Sequence, residues 1–120
     1  MKVFLHHIYE YQKGIRNLVL HTLPAIYKDN AELLLQRKNI SYFIQMPSKD
    51  KVNIFFGNTD CVNVVKQFCD KPLNELNNEE DFILGILLGY NQIIQCKRFL
   101  NRVEKKEQAI LIDNQCVVLY

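Results

Sequence analysis

The chain has 120 residues, of which 48% are hydrophobic and 23% charged, and its formal net charge is +2. This length supports one packed domain rather than two, and the composition excludes an intrinsically disordered protein. The small net charge gives no argument for nucleic-acid binding, which requires a clustered basic surface. The nearest approach to such a cluster is interpreted as a solvated helix C-terminus, and it consists of Lys97, Arg98, Arg102, Lys105 and Lys106.

No targeting or membrane segment is predicted. The first residues, MKVFLHHIYEYQ, lack the basic-then-apolar pattern of a signal peptide, and the apolar runs are much shorter than the roughly 20 residues that span a bilayer. We therefore expect a cytoplasmic protein without a membrane partner. The cysteines form no C-x-x-C pair and match no zinc spacing, so they are interpreted as reduced, mostly buried thiols: Cys61, Cys69, Cys96 and Cys116.

The N-terminal third predicts a helix, a strand and a second helix. Apolar residues at helical spacing favour a helix over residues 3–13 that Gly14 ends, with a strand as the alternative. β-forming residues then predict a strand over 16–23, which Pro24 closes. Apolar positions over 25–38 predict the second helix, and the next residue, an asparagine, is a natural helix stop.

A β-hairpin and a third helix follow. Two apolar runs, 41–46 and 52–56, flank the turn sequence Pro-Ser-Lys-Asp-Lys and predict the hairpin. A helix over 61–69 comes next, with Thr59 or Asp60 as its N-cap. The predicted fold class is therefore α+β: a small three-stranded sheet in the order strand, helix, strand, strand, helix, with helices covering one face.

The C-terminal third predicts a long helix. Asn77 and Glu80 form a capping-box pattern ahead of a helix over residues 78–105. The stretches 109–112 and 115–119 are predicted to form a terminal hairpin or an added edge strand. Residues 1–120 are expected to make a single domain, with 107–120 as a tail.

Three segments together resemble a known family. They are LHHIYEY with KGIRNLVL in residues 5–20, VNIFFG in 52–57 and EEDFILGILLGY in 79–90. They resemble a small bacterial family of unknown function, DUF2023, over about residues 3–103. The resemblance implies about three strands, several helices and a homodimer, but no activity. It also implies, from gene neighbourhood, a redox protein such as a flavodoxin as a possible partner.

The richest polar group lies near the N-terminus. On a helix, His6 and Glu10 share one face at i and i+4, a spacing that two metal ligands can use. A third ligand would have to come from elsewhere in the fold. Because no H-E-x-x-H motif is present, solvated and packed histidines are favoured, and we expect no metal and no cofactor. The candidate ligand or metal residues are His6, His7, Glu10, Arg16 and His21.

The turn after the second hairpin strand carries a candidate thiol. A helix N-terminus that follows a strand can hold an anion and lower the pKa of a nearby thiol. Cys61 is therefore predicted to be the most reactive cysteine, with Cys69 and Cys96 slow because they are buried. A single glycine in this turn favours a plain strand-to-helix connection over a phosphate site.

The long helix predicts self-association. An apolar seam runs from Phe82 to Val103 at alternating steps of four and three, and Phe82–Leu88 is apolar nearly all round. Such a helix must be covered on every side, and a second copy of the chain is favoured over the terminal hairpin 109–119 as the cover. The candidate interface residues are Ile83, Leu84, Gly85, Leu87, Leu88 and Gly89.

Two functional hypotheses follow. The favoured one is a non-enzymatic homodimeric interaction module for a protein partner. The alternative is a small-ligand or metal-binding protein, or an enzyme, that uses His6, His7 and Glu10.

Overall fold

In a computed structural model, the described part of the chain contains five α-helices, interspersed with the three strands of an antiparallel sheet. The structure describes the backbone of residues 1–113 and the side chains of residues 1–109. The helices are α1 (Lys2–Gln12), α2 (Lys28–Arg37), α3 (Thr59–Lys66), α4 (Asn78–Leu87) and α5 (Gln92–Asp113). The strands are β1 (Leu18–Pro24), β2 (Ser41–Gln45) and β3 (Lys51–Gly57). The α+β class and the N-terminal helix are confirmed.

The sheet lies between two layers of helices. Its strand order is β1-β3-β2, so β3 pairs with a neighbour on each side. Alternate residues of β3 face opposite layers: Ile54 and Phe56 pack with side chains of α1 and α2, whereas Phe55 packs with those of α3 and α4. The prediction of helices on one face was therefore wrong, because β3 is apolar on both of its faces.

The predicted stop residues of α1 and α2 are confirmed, and each adopts a left-handed backbone conformation just after its helix. Gly14 has φ 77°, and the N–H of Ile15 donates to the Glu10 carbonyl over 2.9 Å. Asn39 has φ 55° and ends α2 in the same way. Glycine and asparagine tolerate this conformation, which satisfies carbonyl groups that the helix leaves free.

Helix α3 begins two residues earlier than predicted, at Thr59. Asn58 is the N-cap, and its Oδ1 accepts from the N–H groups of Asp60 at 2.9 Å and Cys61 at 3.3 Å. The assignment of the cap to Thr59 or Asp60 was wrong, because Asn58 already accepts hydrogen bonds from the first free N–H groups and both residues lie within the helix. The helix also ends earlier, at Lys66.

The capping box at the start of α4 is confirmed. Asn77 Oδ1 accepts from the Glu80 N–H at 2.8 Å, and Glu80 Oε1 accepts from the Asn77 N–H at 2.9 Å. The long helix is not continuous, however. Gly89 adopts φ 79°, and the N–H of Tyr90 donates to the Gly85 carbonyl over 3.2 Å, which closes α4.

Helix α5 starts anew and turns back along α4. Asn91 Oδ1 caps it by accepting from the Ile94 N–H at 3.1 Å. Phe99 then packs on Phe82 with 5.4 Å between ring centroids, and the Gln95 side chain occupies the space that a Cβ at Gly85 would need. Helices α4 and α5 therefore form a helical hairpin.

The prediction of a strand over residues 109–112, the first of the terminal hairpin, was wrong, because α5 continues through them to Asp113. The second strand, 115–119, lies outside the described residues. Among the helices that the structure describes, none is long and apolar enough to cross a membrane.

Candidate functional site

An open groove of about 500 Å³ lies between the end of α1 and the turn that joins α4 to α5. One side comes from the loop after α1, and the other from the last residues of α4 and the turn that follows. The lining residues are Glu10, Ile15, Arg16, Asn17, Ile86, Leu87, Leu88, Gly89 and Tyr90.

The groove is built from two helix ends of the same kind. Gly14 ends α1 and Gly89 ends α4, and the residue after each glycine is a large, exposed side chain. Ile15 is 67% exposed and Tyr90 is 53% exposed. The fold therefore places two C-terminal helix ends around one cleft. Each end carries partial negative charge and a solvated apolar side chain.

The loop after α1 is held against the sheet. The Asn17 carbonyl accepts from the Asn58 N–H at 2.8 Å. Gly57 has φ 145°, and a Cβ there would collide with the same carbonyl oxygen. This close approach requires glycine at position 57, and it fixes the loop that carries Arg16.

Three polar side chains meet at the groove: Glu10 and Arg16 line it, and His7 lies beside them. His7 Nδ1 lies 3.0 Å from Glu10 Oε1 and 3.3 Å from Arg16 Nη1. One ring nitrogen donates or accepts at a given moment, but it does not do both. His6 Nε2 approaches Glu10 Oε1 more loosely, at 3.8 Å.

The surroundings set the charge of Glu10 and of His21, which lies next to His7. The hydrogen bond with His7 is the main cause that lowers the pKa of Glu10, so its carboxyl group is ionised at neutral pH. His21 stacks on Phe4 with ring centroids 5.7 Å apart and meets the edge of His7 at 5.2 Å. Burial, followed by the nearby His7, lowers the pKa of His21, which is therefore neutral at pH 7.

All five residues predicted as ligand or metal candidates lie in this region. His7 contacts both Glu10 and Arg16, His6 flanks Glu10, and His21 lies behind His7. Within the part of the chain that the structure describes, no three histidine, cysteine or acidic side chains are arranged to hold a metal ion.

Sequence reasoning missed the groove itself. Ile15, Asn17 and Tyr90 line it, but none of them was a candidate. The available signal was local: a glycine followed by a large residue at two helix ends. Only the fold brings these two ends together.

The cysteines differ in exposure. Cys96 is exposed, so the prediction that it is buried was wrong: it lies on α5, on a face that α4 does not cover. Cys69 is buried, and burial raises the pKa of its thiol to about 11. Cys61 is half-buried, and its greater reactivity stays a prediction.

Three residues predicted for a dimer interface are buried within one chain instead. Leu84 and Leu88 pack in the core layer with α3, and Gly85 is covered by α5. The break at Gly89 lets α5 provide the cover that the prediction assigned to a second copy. Ile83 remains exposed, whereas Leu87 and Gly89 line the groove.

Helix α5 carries a second candidate surface. Its 22 residues extend for about 33 Å, roughly twice the length of α4. Ile93 is 68% exposed and Leu100 is 63% exposed, and Ile94 is exposed beside them. A single solvated isoleucine or leucine is ordinary, but Ile93 and Leu100 are seven positions apart and so share one face of α5, opposite the residues that pack on α4.

A family model described as "Protein of unknown function (DUF2023)" matches residues 2–102. The chain belongs to this family. The resemblance found in the sequence is thereby confirmed, with nearly the same bounds. No curated protein matches the chain. The DUF2023 match includes every residue of the groove and ends within α5.

Proposed function

We propose that this DUF2023 protein is a non-enzymatic interaction module that forms a homodimer and binds a protein partner. The observation that carries the proposal is the apolar surface of α5, where Ile93 and Leu100 are each more than 60% exposed. Leaving such side chains in water forgoes about 1.5–3 kcal/mol for each of them. A second copy of the chain is always present in solution, so self-association is a ready way to cover these side chains.

The electrostatics of the hairpin fit an interface rather than a catalytic centre. Asp81 is ion-paired with Arg98 and Arg102 on the face of α5 that packs on α4. The Ile93 and Leu100 side chains are therefore free to make apolar contacts, with charged residues at their borders. This division matches interfaces that have an apolar centre and a polar rim.

Light scattering on charged variants tests self-association. The intact chain is expected to be dimeric at micromolar concentration, and Ile93→Asp and Leu100→Asp are expected to be monomeric. Ile26→Asp is the matched control, because Ile26 is as strongly exposed but lies in the turn before α2. A monomeric wild-type chain would refute the homodimer, and dissociation by all three variants would refute the assignment to the hairpin.

The proposed partner is a redox protein such as a flavodoxin. Titration of a purified flavodoxin into the isotope-labelled chain tests this step. We expect chemical-shift changes that cluster on one surface and are lost in a variant of that surface. Unchanged spectra at a saturating flavodoxin concentration would exclude this partner while leaving the homodimer intact.

A second candidate function, small-ligand or metal binding by His6, His7 and Glu10, is supported by one specific observation. These residues lie on or beside the wall of the groove, whose volume falls within the usual range for small-molecule sites. Elemental analysis of untagged protein tests the metal form of this hypothesis. Near-stoichiometric zinc or iron that His7→Ala removes would support it and would contradict the simple interaction module.

A further inference from the structure

We infer that the groove between α1 and the α4–α5 turn binds a small zwitterion with an apolar side chain: an apolar amino acid or a short peptide. Glu10 binds the ammonium group and Arg16 binds the carboxylate. The inference rests on the second candidate function, ligand binding in this groove, and names the class of ligand. The groove is separate from the apolar surface of α5, so the inference does not depend on dimerisation.

Opposite charges line the same cleft at a short separation. Glu10 and Arg16 both line the groove, and both lie within hydrogen-bonding distance of one atom, His7 Nδ1. They are therefore about two hydrogen-bond lengths apart or less. Among the described residues, the close ionic contacts of Glu10 are with His6 and His7 rather than with Arg16. The ammonium and carboxylate of one small molecule can reach both groups.

His7 satisfies only one of the two charged groups. With a proton on Nδ1, the ring donates to Glu10 and faces the donors of Arg16 without an acceptor. With the proton on Nε2, the ring accepts from Arg16 and faces the Glu10 carboxylate with a lone pair. Glu10 or Arg16 is thus always without a hydrogen bond to His7. A zwitterion supplies the missing partner, an ammonium for Glu10 or a carboxylate for Arg16.

The rest of the groove fits the other parts of such a ligand. Ile15, Leu87 and Tyr90 provide an apolar wall, and two of these side chains are largely exposed in the free protein. The C-terminal ends of α1 and α4 carry partial negative charge and favour a cation between them. A volume of about 500 Å³ accommodates an aromatic amino acid or a dipeptide.

Three probes with one apolar group separate the two charges. L-Phenylalanine carries both charges, 2-phenylethylamine carries only the ammonium, and 3-phenylpropionate carries only the carboxylate. Titration of each into the isotope-labelled chain gives a dissociation constant from the amide shifts. We expect phenylalanine to bind about tenfold more tightly than either analogue, with shifts at Ile15–Asn17 and Leu87–Tyr90.

Two variants assign the roles. Arg16→Gln is expected to reduce phenylalanine binding to the level of phenylethylamine, and Glu10→Gln is expected to reduce it to the level of phenylpropionate. A merely structural loss would weaken all three probes together. Arg37→Gln, at the exposed end of α2, is the control and should change none of them.

The inference is overturned if either analogue binds as tightly as phenylalanine, if the shifts caused by phenylalanine lie outside the groove, or if none of the three probes binds. Light scattering on the same samples keeps the two proposals apart. A monomer that still prefers phenylalanine refutes the homodimer alone, whereas a dimer that ignores all three probes refutes the zwitterion site alone.

Discussion

Asn53 is a buried polar residue in the central strand, and its side chain joins the three strands. Thr22 Oγ1 on β1 donates to Asn53 Oδ1 at 2.7 Å, and Asn53 Nδ2 donates to Gln45 Oε1 on β2 at 3.2 Å. Gln45 Nε2 continues the network to the carbonyls of Cys69 at 3.1 Å and Lys71 at 2.7 Å. A one-residue shift of any strand would break this network, so it fixes the register of the sheet.

Removing the centre of that network should be costly. Asn53→Ala leaves the half-buried Gln45 Oε1 without its donor and removes the acceptor of the Thr22 hydroxyl, so we expect a loss of about 1–3 kcal/mol in the free energy of unfolding. Urea denaturation measures it. Asn63→Ala, on the exposed face of α3, should change stability by less than about 0.5 kcal/mol. Equal losses in both variants would show that the network contributes nothing specific.

His21 predicts how stability depends on pH. Its pKa is lowered in the folded protein by burial and by His7, so the unfolded chain takes up a proton first as the pH falls below about 6.5. Stability is therefore fully present above that pH and decreases as the pH falls toward the lower, folded-state value. His21→Gln should flatten this part of the profile, whereas His6→Gln should retain it. Parallel profiles for all three proteins would contradict the assignment to His21.

Among the elements, the α4–α5 hairpin depends on one carboxylate. Asp81 accepts from Arg98 Nε at 2.9 Å and pairs with Arg102 Nη1 at 3.1 Å. The hydrogen bond from Arg98 is the main cause that lowers the pKa of Asp81. Asp81 therefore stabilises the hairpin above its unfolded pKa, and this contribution is lost as the pH falls through the folded value.

Asp81→Asn should loosen α5 from α4. Because Arg98 is half-exposed, we expect a modest loss, about 0.5–1 kcal/mol, in urea denaturation at low salt. The difference from wild type should shrink at high salt because of screening. Glu79→Gln also removes one negative charge from the first turn of α4 but breaks no contact with α5, so it separates the ion pairs from the helix dipole. An equal loss in both variants would point to the dipole alone.

Helix ends show where sequence reasoning succeeds at the scale of elements. The stop at Gly14 and the capping box at Asn77 were predicted because both depend on residues within one turn of each other. Gly89 and Asn91 are equally local stop and start signals, but the apolar seam was followed across them. An apolar seam of this kind can also run through two separate helices, so periodicity alone does not distinguish one continuous helix from a helical hairpin.

At the scale of the whole molecule, what was missed depends on distant parts of the chain. The groove unites Ile15 with Tyr90, and each layer of helices combines elements from separate segments. Sequence spacing places His6, His7 and Glu10 together because they share one helix. Sequence spacing does not predict that the loop after α1 lies next to the α4–α5 turn, because this arrangement depends on how both helix layers pack on the sheet.

The central position of β3 also determines how the protein opens. Six of its seven residues are buried, and it pairs with β1 over its whole length and with β2 over part of it. Exposing its amides to solvent therefore requires both helix layers to separate from the sheet. In hydrogen–deuterium exchange, the Ile54–Phe56 amides should exchange only through global unfolding, with an opening free energy equal to that from urea. Residues 104–109 of α5 are exposed, so their amides should exchange through local opening of much lower free energy, and slow exchange there would instead indicate a covering partner.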